Sequence, residues 1–271
     1  MNTFRDNQDY EADMFVNNHE AKEIMDDNTL LVVVDTNKPS ITQCEDLLYM
    51  AKMIVVLDHH RQGSDTIRNS VLSYIEPYAS SASEMVAEIL QYFTEGIRIR
   101  NVEADSIYAG IMIDTDNFMQ KTGVRTFEAA AFLRRCGADV TRVRKLFRED
   151  MNDYKARGET IRNAELFRGQ FAISECPSDY VDSPTVVGAQ AANELLNIVG
   201  VKASFVLTEY KGVIYISARA IDEVNVQIIM ERLGGGGHMN ASGAQFNHTD
   251  MDEAVACLKQ VIDEMIEGGD L

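Results

Sequence analysis

Met53-Ile54-Val55-Val56-Leu57-Asp58-His59-His60 is the stretch that decides the fold. A run rich in β-branched residues reads as a buried strand of a parallel sheet, and ligands of open α/β sheets gather at the carboxyl ends of such strands. Asp58, His59 and His60 therefore stand where a site belongs. Outward from this stretch, Leu31-Val32-Val33-Val34 ends in the same way in Asp35-Thr36-Asn37, and Ile107-Tyr108-Ala109-Gly110-Ile111-Met112-Ile113 ends in Asp114-Thr115-Asp116. Read as strands, all three runs deliver acids or imidazoles to one edge.

An aspartate after a strand commonly caps the next helix, and one alone would carry no further meaning. Three of them, one followed at once by His-His, suit a divalent metal centre better. Carboxylates with a neutral imidazole bind Mn²⁺, and two ions about 3.5–4 Å apart can stabilise both oxygens of a phosphoryl displacement.

The composition fits a small-molecule enzyme. At 271 residues and 45% hydrophobic content, about two globular domains are expected. A net charge of −18 argues against a broad nucleic-acid face, since backbone binding depends on Lys and Arg. No apolar stretch approaches the ~20 residues of a membrane span, and no signal peptide is evident. Cys44, Cys136, Cys176 and Cys257 are scattered, as expected of reduced cytosolic thiols.

The chain reads as two α/β halves. Up to about Asp150, strand-like runs alternate with amphipathic segments at Ser83–Phe93 and Thr126–Cys136. A capping box is expected at Ser80/Ser81 with Glu84, and Gly137 should end the helix before it. Residues 151–163, polar and charged, are expected to be a linker or a bridging helix. Residues 164–271 show shorter strands at 170–174, 203–207 and 213–217 and helices at Val187–Leu196, Asn225–Leu233 and Met251–Met265. Gly234-Gly235-Gly236-Gly237-His238 exposes backbone amides that a phosphate can approach, although a glycine at 234 would equally end a helix.

These segments, in this order, resemble the DHH phosphoesterase family. Val32–Ser40, Val55–Arg61 and Gly110–Thr115 look like its second, third and fourth motifs, and the Gly234–His238 run looks like the signature of the DHH-associated C-terminal domain. Glu76–Ser81, Ile216–Arg219 and Glu223–Met230 support the likeness, which within the family points to the GdpP-type cyclic-di-AMP phosphodiesterases. Family members begin with a strand carrying a His and an Asp-x-Asp pair. Residues 1–30 hold no such motif: Asp26-Asp27-Asn28 reads as a turn, and His19 has a polar setting. The expectation is a chain that starts after the family's first motif, with the first strand of its parallel-sheet DHH domain (residues 1–150) missing and a smaller α/β substrate domain following at 164–271.

The resemblance also implies roles. Asp35, His59 and Asp114 would be metal ligands, with Asp35 bridging two Mn²⁺ ions in the intact family site. Asp58 would orient the neighbouring imidazole, since a ligating His needs its other ring nitrogen held, and His60 would meet a substrate phosphate. Arg61, Arg219, Asn225, Gly235, Gly236, Gly237 and His238 would bind substrate, although Asn225 is equally placed to cap a helix. The expected activity is Mn²⁺-dependent opening of cyclic-di-AMP to the linear dinucleotide by a cytoplasmic homodimer, tethered to the membrane if at all by segments upstream. The alternatives are a nanoRNase or 3′-phosphoadenosine phosphatase, or a silent nucleotide-binding module.

Overall fold

The β-branched runs form the strands expected of them, within a computed structural model that describes residues 2–5, 7–11, 13–93, 96, 98–221 and 223–270. The chain divides into two units, Met1–Arg148 and Glu149–Leu271. The first unit contains α1 (Asn2–Arg5), α2 (Asn18–Ile24), β1 (Leu30–Val34), α3 (Asp46–Met50), β2 (Met53–Asp58), β3 (Leu72–Ile75), α4 (Ala82–Leu90), α5 (Asn101–Asp114), α6 (Val124–Arg135) and α7 (Val140–Leu146). The second contains α8 (Met151–Arg162), β4 (Glu165–Phe167), β5 (Phe171–Cys176), α9 (Pro184–Leu195), β6 (Ala203–Tyr210), β7 (Val213–Ala220), α10 (Val226–Arg232), β8 (Gly236–His238), β9 (Ala241–Asn247) and α11 (Met251–Gly268).

In the first unit, β1-β2-β3 is a parallel sheet with Val34 opposite Leu57 and Asp58 opposite Ile75. β2 is central, and its Ile54 and Val56 are fully buried against Leu48 and Ile67. Each such side chain contributes about 1.5–3 kcal/mol through burial. β1 pairs with β2 alone among the described residues, and its Leu30, Val32 and Val34 remain half-exposed.

One expectation fails here. Ile107–Ile113 is not a strand but the last two turns of α5. Periodicity cannot separate a buried strand from a helix that is apolar on most sides, and length decides for the helix: α5 runs from Asn101, where the Arg100 N–H donates to Glu103 Oε2 at 2.8 Å. Gly110 lets α4 approach closely, because a Cβ there would lie 2.1 Å from Ser83 Oγ. The cap of α4 is as expected at Ser81, whose Oγ accepts from the Glu84 N–H at 3.0 Å. Glu84 Oε2, instead of closing the box, takes the hydroxyls of Ser80 and Thr126, both at 2.6 Å.

The second unit has one mixed sheet, β4-β5-β6-β7-β9-β8, in which only β5 and β6 run parallel. α10 and α11 cover one face through Ile229, Met230, Leu258 and Ile262, which pack with Phe171, Phe205 and Ile216. On the other face, Ala156 of α8 and Val187, Ala191 and Leu195 of α9 pack on Ala172 and Val206. Residues 151–163 are thus no linker. They are α8 and its end, built into this unit by Ala156 and by Thr160, whose carbonyl accepts from Ser174 Oγ at 2.6 Å. No helix among the described residues is long and apolar enough to cross a membrane.

Candidate functional site

Because β1 and β2 are parallel, their carboxyl ends share one edge of the sheet. Asp35 follows β1 with its N–H on Leu57 O at 2.9 Å and φ of 65°, in a left-handed conformation that costs a non-glycine residue roughly 1–2 kcal/mol. The turn brings its carboxylate to β2, with Oδ1 3.3 Å from His59 Nε2. Asp114 arrives from another direction than the sequence suggested, at the end of α5, and its Oδ2 lies 3.9 Å from the same Nε2. A carboxylate at a helix C-terminus faces the negative end of the helix dipole. Burial pushes the Asp114 carboxyl above its ordinary range and Asp35 adds to this, while His59 and Lys121 oppose it.

The second half of the cluster is held from beneath. Asp58 is fully buried, and its Oδ1 lies 2.7 Å from His60 Nδ1 and accepts the His60 backbone N–H at 3.2 Å. A carboxylate only accepts, so the proton sits on Nδ1 and Nε2 is left for a ligand. Asn37, also buried, donates from Nδ2 to Asp58 Oδ2 at 2.5 Å and to His60 O at 3.3 Å. The two imidazoles lie against each other with centroids 4.4 Å apart.

Asp35, His59 and His60 each offer a ligand atom, all within 4.8 Å of one another. Mixed carboxylate and imidazole donors fit a divalent transition ion, and Asp114 is close enough to join them. A cavity of about 390 Å³ opens beside these residues, with Asp35 and Asp114 at its polar end and Val34, Val86, Ile107 and Ile113 along its walls. Arg61 is exposed next to the cluster and makes no side-chain hydrogen bond with the described residues.

In the second unit, the glycine run divides into parts with different work. Gly234, at φ 79°, ends α10: its N–H donates to Glu231 O and that of Gly235 to Met230 O. Gly235 is required by packing, because a Cβ would lie 2.1 Å from Gly243 O; Gly237, at φ 144°, would meet Ala241 O at 2.7 Å. A Cβ on Gly234 or Gly236 would meet open space, but Gly234 has a positive φ and Gly236 does not. The run therefore leads from the end of α10 into the edge strand β8 and is not a loose loop.

Register places the other expected residues around it. Arg219, Ala241 and His238 form one row across β7, β9 and β8, and Ser217, Gly243 and Gly236 form the next row of the same face. Arg219 and His238 are two strand spacings apart, about 10 Å, with Ala241 between them and Gly243 and Gly236 in the adjacent row. Arg219 is largely withdrawn from water, which pulls its guanidinium below its usual range, and its recorded hydrogen bond is to Ala218 O at 2.9 Å. Asn225 instead has the plainer role: its Oδ1 accepts from the Gln227 N–H at 3.1 Å and caps α10. Asn37 was missed as a site residue. Its one sequence signal is its place two residues beyond a strand-end acid.

Comparison with known proteins finds a match in each of the two units. Residues 3–111 match the DHH family, N-terminal domain, and residues 170–264 match the DHHA1 domain. The chain is 44% identical over 259 residues to the cyclic-di-AMP phosphodiesterase GdpP of Bacillus subtilis, covering 94% of this chain and 39% of that protein. It is 40% identical over 249 residues to the cyclic-di-AMP phosphodiesterase PdeA of Listeria monocytogenes, covering 92% and 38%. The chain thus spans about two-fifths of the length of these relatives. An exopolyphosphatase-related protein from Bacteroides fragilis superposes with a TM-score of 0.79 at 23% identity, over 91% of this chain and 74% of that one, and shows the same fold. The chain thus carries a DHH domain followed by a DHHA1 domain.

Proposed function

We propose that the chain is the hydrolytic part of a metal-dependent phosphodiesterase that opens cyclic-di-AMP to the linear dinucleotide. The observation that carries this is the Asp35, His59 and His60 group at the sheet edge, in a chain similar along 94% of its length to such an enzyme. Asp35, His59 and Asp114 would hold the ion, Mn²⁺ by the donor chemistry, and a second ion would need ligands beyond these. A bound ion would supply positive charge to polarise the phosphoryl group and acidify water.

The chain's own residues do the rest. His60, its ring fixed by Asp58, would donate from Nε2 to a phosphoryl oxygen when the ring carries both protons. In the second unit, the row of Arg219 and His238 borders the row of Gly243 and Gly236, where backbone without side chains allows a nucleotide phosphate to approach. The −18 net charge favours a small phosphodiester over a long nucleic acid.

Incubating the chain with Mn²⁺ and cyclic-di-AMP, and separating the products, tests the reading. Release of the linear dinucleotide supports it. Degradation of di- to tetranucleotides with the cyclic compound left intact replaces it with an oligoribonuclease. Binding of cyclic-di-AMP without hydrolysis of either substrate leaves a nucleotide-binding module.

A further inference from the structure

We propose that Thr115 is a positioning residue for Asp114: its buried hydroxyl closes the last turn of α5 and so keeps the Asp114 carboxylate beside His59. The proposal rests on the reading of Asp114 as a metal ligand. α5 ends without the glycine that commonly turns a helix at its C-terminus. Three residues with side chains turn it instead: Asp116, Asn117 and Phe118 are all left-handed, with φ of 47°, 57° and 67°. Aspartate and asparagine visit that region singly. A run of three that ends in phenylalanine is strained, and it persists only where its surroundings impose it.

The imposing contacts converge on Thr115. It is fully buried, and its Oγ1 donates to Ile111 O at 2.6 Å and accepts the Phe118 N–H at 3.0 Å. One hydroxyl thus ties the last turn of the helix to the third left-handed residue. The Phe118 ring is anchored in its turn against Tyr108 and Phe127, with centroids 5.7 and 5.8 Å away. The reversal also gives partners to carbonyls that a helix end leaves open, since the N–H groups of Thr115, Asp116 and Asn117 donate to Ile111 O, Ile113 O and Met112 O. Asp114 sits inside this closed turn. Its side chain is 34% exposed and is repelled by Asp35, and no hydrogen bond among the described residues holds its carboxylate. Its aim at His59 is therefore set by the backbone of the last turn, which Thr115 fastens.

The test separates position from stability. Mn²⁺ affinity is measured by calorimetric titration well below the melting temperature, together with the melting temperature itself, for the unmodified chain, Thr115→Val, Thr115→Ser and Asp114→Asn. Valine keeps the branched shape and removes the hydroxyl; serine keeps the hydroxyl. Thr115→Val should weaken Mn²⁺ binding by about tenfold, the scale of losing a group that orients a metal ligand, and Thr115→Ser should bind within about twofold of the unmodified chain. A hydroxyl that served stability alone would lower the melting temperature in Thr115→Val and leave the affinity as it was, and that result overturns the proposal. Should Thr115→Val not fold, amide hydrogen exchange of the unmodified, metal-free chain decides: protected Asn117 and Phe118 N–H groups support the closed turn, and exchange as fast as in an unfolded chain overturns it. Asp114→Asn tells the two failures apart. Weaker binding there with unchanged binding in Thr115→Val defeats the proposal alone, whereas unchanged binding in Asp114→Asn removes Asp114 from the metal centre and defeats both.

Discussion

The two candidate regions are held in place by different means. At the sheet edge of the first unit, side chains hold side chains: Asn37 fixes Asp58, Asp58 fixes His60, and Asp35 reaches His59 from a left-handed turn. Along β7, β9 and β8 of the second unit, the backbone ladder sets the spacing of Arg219 and His238, and Gly243 and Gly236 leave the adjacent row without side chains. The first region should therefore be sensitive to chemistry at constant shape, and the second to volume at constant chemistry.

The largest expected effect is chemical. Asp35→Asn keeps the shape and removes the charge, and should lower any Mn²⁺-dependent hydrolysis by about 10³-fold, on the scale of losing a principal electrostatic group from an active site. Steady-state rates at saturating metal check this. A shape-preserving substitution that left the rate unchanged would break the comparison.

Next in size is a steric effect in the second unit. Gly235→Ala sets a Cβ 2.1 Å from Gly243 O and 2.7 Å from Ala244 Cα, so stability should fall by about 1–3 kcal/mol in chemical denaturation. Gly236→Ala points into open space and should change stability by less than about 0.5 kcal/mol. Equal losses at the two glycines would show that the run is not the packed edge strand described.

Smaller again is the effect of filling the glycine row. Gly236→Val should weaken cyclic-di-AMP binding by about tenfold, the scale of one lost phosphate contact, with the melting temperature of the chain nearly unchanged. Equilibrium binding by fluorescence checks it. Unchanged affinity in a folded variant would remove the row from the nucleotide surface.

Much of this was legible in the sequence, for identifiable reasons. β1 and β2 announce themselves because β-branched runs of strand length end in ionisable residues, and Asp35, Asp58, His59 and His60 come with them. Asp114 was expected beside the cluster although its element was misread, since either a strand or a helix ending there brings the acid to the edge. The polar surface of α8 hides its packing, which rests on two small buried residues, Ala156 and Thr160. Asn37 was invisible because its role lies in pairing with Asp58, 21 residues away, and not in any local pattern. In the glycine run, composition could not separate the packing glycines 235 and 237 from Gly236; only the register with β9 does so.

The central claim is that the strand-end cluster is the metal-binding centre, and calorimetric titration with Mn²⁺ tests it most directly. The chain should bind fewer than two tight ions, because Asp35, His59, His60 and Asp114 are too few donors for two complete shells. Asp35→Asn should weaken that binding at least about tenfold, while Gly236→Val leaves it as it was. Mn²⁺ affinity unaffected by Asp35→Asn would contradict the account.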